Sequence, residues 1–183
     1  MSNMTPETAA HYDEIMPVIT QLAELLNPNS AEDVATDVAS FQETLNEYLA
    51  DDEDMLVDSI ENDELGYLMA DLIVGAGMGY SFNIDWKDSE SAIDFLQDAL
   101  EYADLDLQLD FGTPNPEEDL MPNQIFSYAN QQLQNAGYYL LGLNSGSDSY
   151  CEILIPREIF TPFMQIMEQF DIDVDMNDQE IDE

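Results

Sequence analysis

The chain has 183 residues, of which 41 are acidic and two are basic, for a net charge of −39. Apolar residues make up 45% of it, enough for a sizeable core, which excludes a body kept disordered by charge and low hydrophobicity. With Lys87 and Arg157 as the only bases, direct contact with nucleic acid or an anionic membrane surface is opposed by repulsion.

At this length one domain is expected, spanning residues 1–170 and followed by an acidic C-terminal tail, 171–183. The N-terminus lacks a basic segment followed by an apolar run, so no signal peptide is expected. No apolar stretch approaches the roughly 20 residues of a membrane-spanning helix. Cys151 is the only cysteine, which rules out an internal disulfide and fits a reducing, cytoplasmic setting.

Thr5-Pro6-Glu7 reads as a helix start, with Thr5 as the N-cap and proline at the first helical position. Apolar Tyr12, Ile15, Met16, Ile19, Leu22 and Leu26 continue at helical spacing, and Pro17 is expected to kink or restart the helix. Ser30 and Asp33 resemble a capping box, and Val34, Val38, Phe41, Leu45, Tyr48 and Leu49 form an apolar stripe behind them. Two shorter helices are expected near 52–60 and 63–75. Tyr80, Phe82, Ile84 and Trp86 alternate as a half-buried strand, 80–86. Ser89 is placed as the cap of a helix carrying Ile93, Leu96, Leu100 and Ala103.

Leu105, Leu107, Leu109 and Phe111 alternate again and predict a second strand, 105–111. The strand–helix–strand order permits a parallel right-handed crossover. A loop rich in proline and acid follows, from Gly112 to Met121. Pro122 opens a neutral helix that Gly137 stops. Residues 138–143 and 150–155 read as a hairpin across the turn Asn144 to Asp148. A last helix runs from Thr161-Pro162 to Phe170. The fold class is therefore α+β, with about six helices and a small sheet of about four strands.

The acids are unevenly placed. Thirteen lie between Ala31 and Gly66 with no base among them, and none lies between Met121 and Ser147. The last thirteen residues carry seven. Uniform salt adaptation does not produce an empty stretch beside a loaded one. Asp33/Asp37 and Glu43/Glu47 are like charges at i,i+4, each pair destabilising its helix by a few tenths of a kcal/mol. Asp51, Asp52, Glu53 and Asp54 follow, then Asp58. Neutral residues would fold better at these nine positions, which marks them as a partner-binding face. Duplex DNA presents one charge per roughly 1.7 Å, so this net charge corresponds to roughly 20 base pairs of phosphate.

Other chemistry is poorly supported. His11 is the only histidine, which excludes histidine-based metal clusters and two-histidine mechanisms. Cys151 sits in a strand pattern and reads as core. Gly75-Ala76-Gly77-Met78-Gly79 follows a helix rather than a strand, the wrong context for cradling phosphate. Asp171-Ile172-Asp173-Val174-Asp175-Met176-Asn177 has the alternating acids of a calcium loop. It has Met176 where the turn needs glycine and Asp182 where a bidentate glutamate belongs, so no dedicated metal site and no cofactor are expected. Paired carboxylates are abundant, and an acidic hydrolase with two carboxylates in separated environments in a deep pocket is the enzymatic alternative.

In charge, size and lack of bases the chain resembles the DNA-mimic proteins of phages and bacteria, including anti-restriction proteins and inhibitors of nucleoid proteins. It is similar in charge to acidic immunity proteins that block basic nuclease toxins. The resemblance implies a non-catalytic inhibitor that binds and occludes a basic partner, a nucleic-acid-binding protein or a basic toxin. Asp85-Trp86-Lys87-Asp88 and the hairpin Gly137 to Pro156 resemble a family of uncharacterised bacterial domains, which implies an α+β fold and nothing about activity.

Overall fold

The computed structural model describes residues 5–178. Helix α1 (Pro6–Leu26) starts where Thr5 Oγ1 accepts the Thr8 N–H at 3.1 Å, and α2 (Ala31–Asp51) starts where Ser30 Oγ accepts the Asp33 N–H at 3.1 Å. Helix α1 runs through Pro17 without a restart. Pro17 and Asp13, the residue that would have bonded to its missing N–H, are both exposed, so water can satisfy the freed carbonyl. Two short helices follow, α3 (Met55–Glu61) and α4 (Leu65–Gly75), then strand β1 (Tyr80–Asp85).

Helix α5 (Ser89–Tyr102) is capped by Asp88, which accepts the Ser91 N–H at 3.0 Å, and not by Ser89. The Ser89 hydroxyl is buried and donates to Leu120 O at 2.6 Å, tying α5 to the later loop. That loop contains the one-turn helix α6 (Pro116–Asp119). Helix α7 (Pro122–Ala136) ends at Gly137, whose φ of 91° is the left-handed cap. The hairpin β2 (Tyr138–Leu143) and β3 (Ser149–Pro156) leads through a 3-10 turn into α8 (Phe160–Gln169) and β4 (Val174–Asp175). The described residues thus hold eight helices and four strands, an α+β fold with more helices than the sequence pattern indicates.

All strand pairs are antiparallel, in the order β1-β3-β2-β4. The pleat sends Leu141, Leu143, Cys151, Ile153 and Ile155 to one face, where α1, α2, α4 and α8 supply the larger core. Phe82, Ile84, Leu140 and Leu154 face the other way, onto α5 and α7. Helices therefore cover both faces of the sheet.

The expected strand 105–111 is absent, and with it the parallel crossover. Leu105, Leu107, Leu109 and Phe111 do alternate, half-buried against the second core cluster, with exposed acids and Gln108 between them. They pair with no strand, although β1 is an edge strand whose outer side carries no neighbour among the described residues. The Gln132 side chain substitutes locally, accepting the Asp110 N–H at 2.9 Å and donating to Asp110 O at 2.8 Å.

Residues 171–178 also differ from the expected free tail. Ile172 is buried in the larger core, the Asn144 N–H donates to Asp173 O at 3.0 Å, and β4 pairs with β2. Gly66 lets this segment approach: a Cβ there would lie 2.2 Å from Asp171 O. The last acids, 180–183, lie outside the described residues. No described helix is long and apolar enough to cross a membrane.

Candidate functional site

The proposed partner face is built mainly on α2. At about 100° per residue, Asp33, Glu43, Glu47 and Asp51 fall within about 80° of one another. They point away from the buried Phe41, Leu45 and Leu49. All four are exposed, as are Asp52, Glu53, Asp54 and Asp58 beyond the helix. The turn carrying them is held in place: Thr8 Oγ1 donates to Glu53 O at 3.0 Å, and Asp52 Oδ1 accepts the Asp54 N–H at 3.2 Å.

Asp37 has a different role. Its Oδ2 accepts from Asn27 Nδ2 at 2.8 Å and from the Gly79 N–H at 2.9 Å, bracing the α1–α2 turn against the entry to β1. It is half-buried, and its charge serves the fold. The other described acids are not neutralised by Lys87 or Arg157. Lys87 lies 4.1 Å from the centroid of the Trp86 ring, Arg157 donates to Gln134 O, and among the described residues neither pairs with an acid. His11 Nδ1 lies 3.7 Å from Glu14 Oε2.

Asp33 to Asp51 spans about 27 Å of helix, so this row carries one charge per about 9 Å. A duplex carries one per roughly 1.7 Å. The α2 row alone is therefore far sparser than a phosphate backbone. Any likeness to DNA lies in net charge over the whole surface, where every described acid is exposed except Asp37, Asp71 and Glu152.

Glu152 is the functional candidate that sequence reasoning missed. It lies mid-way along β3 opposite Phe82 of β1 and Gly142 of β2, and it is 1% exposed. Gly142 leaves it room, since a Cβ there would lie 3.2 Å from Glu152 Oε1. Burial pushes its carboxyl up to about 8, against a partial lowering by Asn177, whose Nδ2 donates to Oε2 at 2.6 Å; nearby Asp175 adds to the rise. Asn177 has φ 48° and also donates to Leu140 O at 3.2 Å. Asn130 of α7 accepts the Leu140 N–H at 2.8 Å and donates to Met176 O. Two asparagines thus clamp the chain after β4 onto β2 and close over Glu152.

A cavity of about 580 Å³ opens here, lined by Asn144, Ser145, Ser149, Glu152, Asp173 and Asp175 among others. It holds carboxylates in two environments, Glu152 buried and Asp173 and Asp175 exposed. The signal in the sequence was a single acid inside a strand whose other central residues are apolar.

Cys151, the neighbour of Glu152, points to the opposite face. It is buried in the larger core, burial raises its thiol pKa, and Asn83 Nδ2 lies 3.6 Å from Sγ. The calcium-like acids do not converge: Asp175 Oδ1 accepts the Asn177 N–H at 2.8 Å, and no group of three potential metal ligands occurs among the described residues.

The class of the chain is that of its fold, α+β. The family described as a domain of unknown function, DUF6630, matches residues 18–177, and the chain belongs to it. No curated protein and no solved structure matches the chain.

Proposed function

We propose that this protein is a non-catalytic acidic binder that occludes a basic partner, a nucleic-acid-binding protein, through the outward face of α2 and the turn Asp51 to Asp58. One observation carries the reading: Asp33, Glu43, Glu47 and Asp51 share an exposed face opposite the core, and neither base of the chain neutralises them. Like charges so placed weaken the helix, and complementary charge on a partner speeds encounter and selects against wrong partners. An immunity protein would use the same face against a basic toxin. Capture from host lysate at low and high salt, with the retained proteins identified, tests the reading. It expects basic nucleic-acid-binding proteins retained at low salt only; retention of none would end it.

A second reading attaches to the cavity. Glu152, buried and with its carboxyl pushed up by that burial, and the exposed Asp175 stand in the contrasting environments that the two carboxyls of a hydrolase need. Turnover of a glycoside panel that is lost in Glu152→Gln would favour it over occlusion.

A further inference from the structure

Tyr102 is the most exposed large apolar side chain among the described residues, at 52%. It ends α5, with its ring centroid 5.1 Å from that of Tyr80 and the two planes tilted by 34°. The Tyr80 hydroxyl donates to Phe95 O at 2.9 Å and the Tyr138 hydroxyl to Ala103 O at 3.5 Å, which fixes both of those rings. The three tyrosines line a mainly apolar groove of about 220 Å³, together with Gly79 and Asp104. Tyrosine is enriched at contact surfaces because its ring is apolar and its tip is wet.

Carboxylates stand around this groove. Asp104 belongs to its lining and is exposed. Asp37 accepts the Gly79 N–H at 2.9 Å, and the exposed Asp33 lies one turn earlier on α2. Burial raises the Tyr102 phenol, and Asp37 and Asp33 add to the rise, as charges near the ring must. Burial, with Asp98 adding to it, pushes the Tyr80 phenol up to about 12. Arg157 follows Pro156 of the lining, but its guanidinium donates to Gln134 O and lies 5.5 Å from the centroid of the Tyr139 ring.

This chemistry selects the occupant. The groove is smaller than the roughly 300–1,000 Å³ of drug-sized ligand sites and suits a single side chain. Its acids repel phosphate and carboxylate groups, and a second copy of this chain would bring a net charge of −39. What fits is a cation that can lie on a ring and reach carboxylates at once. A guanidinium does both better than an ammonium, being planar, forked and more weakly hydrated.

We propose that the groove lined by Tyr80, Tyr102 and Tyr138 takes an arginine side chain of a basic protein partner, its guanidinium stacked on Tyr102 and facing the carboxylates of Asp104 and Asp33. The proposal rests on the reading that such a partner docks on α2, and it places the partner's anchor at the Asp33 end of that face.

The test has two arms, both on the full chain. In the first, blocked Gly-Arg-Gly and Gly-Lys-Gly peptides are titrated while amide chemical shifts are followed. Saturable shifts at Gly79, Tyr102 and Asp104 are expected, with the arginine peptide bound more tightly. Tyr102→Ala should weaken its binding about two- to five-fold. Tyr102→Phe, which keeps the ring, should bind like the parent, and Tyr67→Ala, which removes an exposed ring elsewhere, should change nothing. Shifts that fail to saturate, equal binding of the two peptides, or undiminished binding by Tyr102→Ala overturn the proposal. In the second arm, parent and Tyr102→Ala are used as baits in host lysate, and the variant should retain less of the basic partner. Full retention by Tyr102→Ala, with loss when Glu43 and Glu47 are neutralised, removes the groove and leaves the α2 reading standing. If the parent retains no partner, the α2 reading falls, and the peptide arm alone decides whether the groove binds arginine.

Discussion

Replacing Glu152 by glutamine should make the protein more stable at pH 8 and little different at pH 5. A carboxyl raised from 4.5 to about 8 binds a proton in the folded state over a range where the unfolded chain has lost it. Its favourable contribution is complete below 4.5 and is lost as pH rises through about 8, because the ionised form is penalised by burial. Within that window stability falls by up to about 1.4 kcal/mol per pH unit from this group alone. From pH 5 to 8 the loss sums to roughly 3 kcal/mol, taken without discount for solvent because the side chain is 1% exposed. Glutamine keeps an acceptor for Asn177 and cannot ionise. Urea denaturation of parent and Glu152→Gln at pH 5, 6, 7 and 8 gives the difference directly, and the surface carboxylates, common to both, cancel. A difference that stays constant across this range would mean that Glu152 is already ionised at neutral pH, and the reasoning about its burial would fail.

The thermal midpoint should rise with sodium chloride between 10 and 500 mM, because salt screens the 41 acids over about 10 Å at 0.1 M; a flat or falling curve would show that the charges do not strain the fold. Phe126→Ala and Leu133→Ala, both fully buried in the uncharged α7, should each cost about 2–5 kcal/mol in denaturant unfolding. Gly66→Ala should destabilise the protein and expose residues 171–178 to hydrogen exchange, since the new methyl would overlap Asp171 O; unchanged protection there would mean that the segment does not dock on α4.

Local chemistry was well expressed in the sequence where a residue acts on its own segment. Thr5, Ser30 and Gly137 mark helix ends, and the apolar stripe Phe41, Leu45, Leu49 marks the buried side of α2. What pattern could not supply was pairing. Leu105 to Phe111 alternate like a strand because one side packs on a core, but alternation reports burial and says nothing of a hydrogen-bonding neighbour; that role fell to Gln132. The segment after Phe170 read as solvated because of its acids, yet Ile172 and Asn177 anchor it through contacts with residues far away in sequence. Asp37 was grouped with the free acids of its helix, since only the fold brings Asn27 and Gly79 to it. Glu152 was overlooked for the same reason: its importance lies in the absence of a countercharge in three dimensions.

The central claim, that the α2 face binds a basic partner by charge, is tested most directly by comparing two proteins as bait in the same lysate. One is the parent. The other carries Asp33→Asn, Glu43→Gln and Glu47→Gln, which removes three exposed charges and leaves Asp37 in place to hold the fold. The account expects the variant to be at least as stable as the parent and to retain clearly less of the basic partner at low salt, with the difference vanishing as salt rises. Equal retention by the two proteins at every salt concentration would contradict it.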